Sequence, residues 1–158
     1  MQYFSKILFV SFLFLFLGCK ENYFFQKSYD IPDAAWTYDN SLDFKVNIKD
    51  TSAIYNLFLT IEHSTDYPKQ NVYIQIHTQF PTGEKLKEKL SINLASKAGA
   101  WYGKCGSKTC TLKIPIQEGA FFNIPGQYQF TIEQYMRVNP LNGIKRVSFS
   151  IEDTGVKK

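Results

Sequence analysis

Histidine and arginine are scarce in this sequence, and their scarcity argues against several kinds of functional site. The 158 residues include two histidines, His63 and His77, and two arginines, Arg137 and Arg146. Neither histidine has cysteine or carboxylate partners at the spacing that zinc sites use, so the sequence predicts no metal site. The formal charge of +4 is spread along the chain. Without a concentrated basic patch, nucleic acid is not an expected partner.

The sequence motifs of common enzymes are also missing. There is no Gly-x-Ser-x-Gly elbow for a serine nucleophile, no phosphate-binding loop and no dinucleotide-binding fingerprint. His63 and His77 are interpreted as surface or internally bonded side chains. We therefore expect no catalytic residue, no cofactor and no enzyme activity. An enzyme stays as the third alternative, and it would require a pocket with paired carboxylates.

The N-terminus has the three parts of a bacterial lipoprotein signal. A short segment with one positive charge at Lys6 precedes an apolar run over residues 7–17. That run is too short to span a bilayer, which takes roughly 20 residues, and it matches the core of a signal peptide. Gly18 and Cys19 follow at once, as in a lipobox. We predict a signal peptide over residues 1–18 and lipid on Cys19, the alternative being a secreted protein in which Cys19 is incidental.

Lipid on Cys19 makes a membrane the first expected partner. Stable anchoring takes more than one acyl chain, and a bacterial lipoprotein carries a diacylglyceryl group and often a third chain. Glu21 beside Lys20 is a weak version of the acidic signal that sends some lipoproteins to the cell surface. The expected location is the cell envelope, as an outer-membrane lipoprotein that faces the periplasm.

Acylation of Cys19 leaves two further cysteines, Cys105 and Cys110. The four residues between them are Gly-Ser-Lys-Thr, which suit a hairpin loop. A metal clip would need further ligands, and a thioredoxin-like redox pair has a different spacing. We expect a structural disulfide, formed in an oxidising compartment.

Apolar residues recur at every second position through most of the chain, which is the pattern of half-buried strands. The segment 42–48 alternates strictly, and similar faces follow to residue 151. About eight short strands separated by turns indicate an all-β domain, an antiparallel β-sandwich preceded by a signal peptide and a short tether. The expected divisions are residues 19–39 for the lipidated cysteine and tether, 40–153 for the sandwich and 154–158 for a C-terminal tail. A short helix over 119–123 is an open alternative.

Several separated pieces of the sequence, taken in order, form a recognisable set. The pieces are Asp66-Tyr67-Pro68, Phe80-Pro81-Thr82-Gly83, Gly99-Ala100-Trp101-Tyr102-Gly103, Gly126-Gln127-Tyr128-Gln129-Phe130, Gln134-Tyr135-Met136-Arg137 and Leu141-Asn142-Gly143-Ile144. Their order, together with the lipobox and the chain length, resembles the gliding-motility lipoprotein GldH family of Bacteroidota.

The resemblance implies a role in the envelope apparatus for gliding, which is linked to the type IX secretion system. It implies no catalytic residues, and the expected partners are other envelope motility or secretion proteins. Trp101, Tyr102, Tyr135 and Arg137 are the candidate interaction residues, because Trp, Tyr and Arg are enriched at binding hot spots. The alternative for Arg137 is a rim side chain that bonds loop carbonyls.

A second hypothesis comes from a different class of protein. Many β-sandwiches bind sugars through exposed aromatic side chains, and Trp36, Trp101 and several tyrosines are available. The alternative function is therefore an envelope lipoprotein that binds glycan or another small ligand. Core packing explains the same aromatics equally well.

Overall fold

The computed structural model describes residues 22–158, and the predicted signal peptide and Cys19 lie outside this range. The described chain folds into strands, with a single 3-10 turn at Pro32–Ala34. No helix within residues 22–158 is long and apolar enough to cross a membrane. The strands are β1 Tyr23–Asp30, β2 Ala35–Trp36, β3 Leu42–Ile48, β4 Ala53–Ser64, β5 Asn71–Gln79, β6 Lys85–Asn93, β7 Lys104–Cys105, β8 Thr109–Ala120, β9 Gly126–Gln134, β10 Leu141–Asn142 and β11 Ile144–Lys157.

Two antiparallel sheets pack face to face, which confirms the predicted β-sandwich. One sheet has five strands in the order β1-β11-β4-β8-β7, and the other has four in the order β3-β9-β5-β6. The short strands β2 and β10 pair with each other. Phe149 of the first sheet meets Phe44 and Phe130 of the second, with ring centroids 5.5 and 4.8 Å apart. The alternating apolar residues of both sheets thus form one core.

The N-terminal part of the chain differs from the expected tether. Residues 23–30 form β1, which pairs with β11 along the edge of the five-stranded sheet. Phe25 packs against Phe149, and Tyr29 packs edge-on against Phe44. Because these rings cover the open edge of the core, the domain begins before residue 40.

The C-terminal end also differs from expectation. Residues 154–157 continue β11 after an irregularity in its pairing with β4, and the Lys158 N–H donates to the carbonyl of Ser52 over 2.9 Å. The alternative helix over 119–123 is wrong, because residues 119–120 end β8 and a loop follows. Gly119 has a φ of +65°, outside the right-handed helical region.

The pair Cys105 and Cys110 lies in the hairpin formed by β7 and β8. Cys105 and Cys110 face each other in the antiparallel register and are joined by a disulfide, with their Cα atoms 4.0 Å apart. The loop that it closes is short. Its entropic contribution should therefore fall below the roughly 3 kcal/mol expected for a 15-residue loop.

Candidate functional site

An open groove of about 1130 Å³ lies on the solvent face of the four-stranded sheet. Its floor comes from β5, β6 and β9, and its wall from the loop that follows β9. In β5 the side chains of Ile74 and Ile76 enter the core, so those of Tyr73 and Gln75 point into the groove. The register places Gln75 opposite Lys89 on one side and opposite Glu133 on the other.

Gln75 and Glu133 form a polar network on the groove floor. Glu133 accepts hydrogen bonds from the Gln75 amide over 3.3 Å and from the Ser41 hydroxyl over 2.9 Å. His77 Nε2 lies 3.0 Å from a Glu133 oxygen. Gln75 is only 4% exposed, and its Oε1 has no hydrogen-bond partner within residues 22–158. The one carboxylate in the groove is thus already engaged by neighbouring donors.

Exposed tyrosines and cations line the rest of the groove. Tyr73 and Tyr135 are 45% and 46% exposed. The Lys89 ammonium donates to the Tyr135 hydroxyl over 2.7 Å and lies 4.2 Å from the ring centroid. That hydrogen bond lowers the pKa of Tyr135 from its ordinary value, because a nearby positive charge favours the phenolate.

The loop after β9 presents Arg137 at the groove wall. Gln134 is buried and holds this loop: its amide donates to the Val138 carbonyl over 3.2 Å, and its oxygen accepts the Met136 N–H over 2.9 Å. The Tyr38 hydroxyl donates to the Met136 carbonyl over 2.6 Å. Arg137 itself is exposed and has no hydrogen bond or ion pair to residues 22–158. It is free to bind a carboxylate from outside the molecule.

The structure brings together two of the four candidate interaction residues. Tyr135 and Arg137 both line the groove, whereas Trp101 and Tyr102 are not among its lining residues. Trp101 packs against His63, with ring centroids 4.6 Å apart, and Tyr102 is exposed elsewhere. Trp36 is fully buried, which rules it out as a sugar-stacking platform in the folded protein.

Tyr73 and Tyr38 were not predicted as groove residues. The alternation of β5 does place Tyr73 on the solvent face with Gln75 and His77, so a signal for that side chain was present. Tyr38 lies in the segment predicted as a tether. Only the pairing of β2 with β10 brings it beside Met136, and no local pattern indicates that contact.

A second cluster, around His63, is buried beside the Cys105–Cys110 hairpin. His63 is fully buried; its Nδ1 lies 2.8 Å from the Ser64 carbonyl, and its Nε2 has no partner within residues 22–158. Tyr67 and Trp101 cover it, at centroid distances of 5.7 and 4.6 Å. A Cβ on Gly143, where φ is +97°, would lie 3.0 Å from the Tyr67 ring. This cluster is part of the core.

The buried His63 predicts that acidification destabilises the fold. Burial lowers the pKa of His63 from its ordinary value of 6.5. Below about pH 6.5 the imidazole is therefore protonated more readily in the unfolded chain than in the folded chain, which favours unfolding. The free energy of unfolding should be intact above about pH 6.5 and fall as the pH drops below that value, by at most ~1.4 kcal/mol per pH unit. Urea titrations across this range measure it.

The matched control for this experiment is the other histidine. His63→Gln should remove most of the pH dependence, whereas His77→Gln, on the solvent face of β5, should keep it. Equal slopes in wild type and His63→Gln would show that the acid sensitivity arises elsewhere.

No group of three or more histidine, cysteine, aspartate or glutamate side chains within residues 22–158 is arranged to hold a metal ion. The groove has one carboxylate, Glu133, among its lining residues, and so offers no carboxylate pair for acid–base chemistry. Its exposed rings, amides and cations can form stacking contacts, hydrogen bonds and ion pairs with a bound molecule.

The matching family model and the similar proteins carry the same family description. Residues 23–151 match the family described as GldH lipoprotein. A protein of Christiangramia forsetii named gliding motility lipoprotein GldH homolog is 27% identical over 156 residues, covering 94% of this chain and 95% of that protein. The gliding motility lipoprotein GldH of Flavobacterium johnsoniae is 27% identical over 155 residues, with coverages of 94% and 95%.

A solved structure of an arabinose-bound α-L-arabinofuranosidase shows a weak similarity. It matches 80% of this chain at 12% identity, with a TM-score of 0.36, and this chain spans 19% of its length. A similarity at that level supports no statement about this protein.

Proposed function

The chain belongs to the GldH lipoprotein family, and from that premise we propose that it is a non-enzymatic component of the gliding-motility machinery. Lipid on Cys19 holds it to the outer membrane, on the periplasmic face. The groove on the four-stranded sheet binds another envelope protein of the motility apparatus or of the type IX secretion system linked to it.

The observation that carries the protein–protein role is the composition of the groove. Tyr73 and Tyr135 offer large amphipathic surfaces, and Arg137 offers a guanidinium without a partner in residues 22–158. Tyr and Arg dominate binding hot spots, since they combine apolar area with directed hydrogen bonds. The partner surface should carry a carboxylate opposite Arg137.

The position of the groove suits a lipid-anchored protein. Asn22, the first described residue, pairs with Asp153 at one end of the sandwich, which we call the anchor end (residues 22–24, 49–52, 121–125 and 153–158). Strand β9 starts beside this end at Gly126 and finishes at Gln134 in the groove. Its nine residues span roughly 25–30 Å, so the groove lies towards the end of the sheet opposite the anchor end.

Groove substitutions test the proposal in a gliding strain that lacks the chromosomal copy. Arg137→Gln and Tyr135→Ala should each reduce capture of the partner in envelope crosslinking by more than tenfold, because a hot-spot residue contributes at least ~2 kcal/mol. Lys85→Gln is the matched control, since Lys85 lies on the same face of β6 as Lys89 but outside the groove lining. Spreading on agar should fall in parallel.

Two results would contradict this function. A deletion strain that spreads and secretes normally would remove the motility role. Groove variants that crosslink the same partners as wild type would move the interaction to another surface.

The groove also supports the second candidate, a glycan-binding function, in a different form from that expected. Tyr38, Tyr73 and Tyr135 replace the tryptophans as stacking surfaces, and Lys69, Lys89 and Arg137 favour an acidic sugar. The purified full chain should then bind galacturonate oligosaccharides and lose that binding in Arg137→Gln. No binding on an array of acidic glycans would leave the protein partner as the function of the groove.

A further inference from the structure

Four large apolar side chains are exposed together at the anchor end. They are Phe24, Phe121, Ile124 and Val156, with exposed fractions of 41%, 52%, 40% and 55%. We call them the apolar rim. Isolated exposed apolar residues are common, whereas a group of them at one end of a domain marks a contact surface.

Internal contacts fix these four residues around the same end of the sandwich. The Phe24 ring lies 5.1 Å from that of Tyr55, which lies 5.6 Å from that of Phe122, the neighbour of Phe121. The carbonyl of Ile124 accepts from the Tyr128 hydroxyl over 2.9 Å, and the Tyr128 ring is 4.8 Å from that of Phe122.

Val156 belongs to the same end through the last residues of β11. Lys157 pairs with Ala53 in the register, and the Lys158 ammonium lies 4.4 Å above the Phe121 ring. The rim therefore joins the N-terminal strand, the β8–β9 loop and the C-terminal strand into one surface.

The chain length outside the described residues identifies what this surface meets. Asn22 lies at the anchor end, and Cys19 precedes it by three residues, which span at most about 11 Å even when fully extended. Lipid on Cys19 would therefore hold the anchor end at the headgroup layer of the bilayer. We propose that the apolar rim inserts into the membrane interface beside the lipid anchor, an inference that rests on the proposed acylation of Cys19.

The charged groups around the rim are compatible with that location. The Asp50 carboxylate pairs with the Lys157 ammonium over 2.8 Å, and the Asp153 carboxylate accepts the Gly155 N–H over 2.8 Å. The Lys158 ammonium, which lies over the Phe121 ring, can contact lipid headgroups. Aromatic and aliphatic side chains at such an interface bury 5–10 Å into the headgroup and acyl boundary in amphipathic anchors, which is about the depth of a side chain.

Insertion fixes the orientation of the domain as well as its distance from the membrane. A lipid on a three-residue link alone would let the domain tilt, whereas contacts from three segments hold one end against the bilayer. Because the groove lies near the other end of β9, it would then be held in the periplasm at a defined height above the membrane.

Tryptophan fluorescence in bilayers tests the insertion. The full lipidated chain, carrying either Phe121→Trp or Val138→Trp, is reconstituted into phosphatidylethanolamine–phosphatidylglycerol vesicles with and without brominated acyl chains. Val138 is the matched control, since it is 44% exposed but lies in the groove. Trp36 and Trp101 give the same background in both. We expect a blue shift and loss of emission by bromine quenching for Phe121→Trp alone.

A second variant and a separate readout keep the outcomes distinct. Val156→Trp, on another strand, should behave like Phe121→Trp and covers the case in which one substitution misfolds. If Cys19 carries lipid by mass spectrometry and neither rim variant is quenched, or Val138→Trp is quenched equally, the insertion is refuted and the anchor stands. If Cys19 carries no lipid, both the lipid anchor and the insertion of the apolar rim are refuted. Crosslinking of the apolar rim to a protein in cells would also overturn the proposed membrane insertion.

Discussion

Replacing Trp36 with alanine should lower the free energy of unfolding by about 3–5 kcal/mol, the range for removing a fully buried aromatic side chain. Trp36 is 0% exposed, and its indole N–H donates to the Asn40 carbonyl over 2.8 Å. It also holds β2 against Leu141 of β10. Since a domain of this size has roughly 5–15 kcal/mol of stability in total, the variant should be near unfolding at physiological temperature.

Urea unfolding followed by far-ultraviolet circular dichroism measures this effect. Trp36→Phe is the matched control: it keeps most of the apolar area, loses the indole hydrogen bond, and should cost less than half as much. A loss below about 1 kcal/mol for Trp36→Ala would mean that the site collapses to fill the cavity, and that β2 and β10 contribute little to stability.

Trp36 also shows where sequence patterns stop being informative. The strands β3, β4, β5 and β9 have apolar residues at every second position, so their existence and their buried faces could be predicted. Strand β2 has two residues and no periodicity. Its burial depends on pairing with Leu141, more than a hundred positions away, which no local pattern encodes.

The N-terminal strand was missed for a related reason. Tyr23, Phe24 and Phe25 form an unbroken aromatic run, and the pairing of β1 with β11 shifts register between Tyr23 and Phe25. A bulge of this kind breaks the alternation that identifies a strand. The polar segment beyond it, containing Gln26, Lys27 and Ser28, is typical of an exposed edge and is hard to distinguish from a tether.

Only part of the candidate site could be predicted, because the groove combines residues from local motifs with residues brought together by long-range strand pairing. Tyr135 and Arg137 came from a motif of four consecutive residues, and the structure places both at the groove. Trp101 came from another motif of the same family, yet it covers His63 in the core. Motif membership therefore identified residues that matter to the fold or the groove without separating the two roles. The register of Gln75 with Glu133, across 58 positions, decides which side chains share the groove floor.

Gly103 likewise combines a local requirement with a long-range one. Gly103 belongs to one of the family-like pieces, and its φ of +83° is a conformation that glycine adopts without strain. The closer constraint is spatial: a Cβ there would lie 2.2 Å from the Thr111 carbonyl oxygen, across the β7–β8 hairpin. The sequence indicates the turn, but only the fold shows that another strand occupies the space beside it.

Cys19→Ala should block lipid attachment and leave an unprocessed precursor or a soluble form of the protein. The thiol of Cys19 is the only group at the lipobox that can carry the diacylglyceryl chains, and a single weak contact cannot replace them. One acyl chain alone gives a binding constant of only about 10⁴ M⁻¹, and the apolar rim offers four side chains, not a spanning helix. Metabolic labelling with a clickable fatty acid and membrane fractionation report the two consequences separately.

The Cys105→Ser, Cys110→Ser double variant controls for loss of a thiol. It should keep wild-type labelling and fractionation, because the disulfide that it removes lies in the β7–β8 hairpin, away from the lipobox in the sequence. If the proposed function is right, groove-dependent crosslinking and spreading should disappear in Cys19→Ala even though the folded domain is unchanged, since the groove would no longer meet the proposed partner at the membrane. Equal lipid labelling of wild type and Cys19→Ala would place the lipid elsewhere, and unchanged spreading by an unlabelled, soluble Cys19→Ala protein would show that the domain works without an anchor.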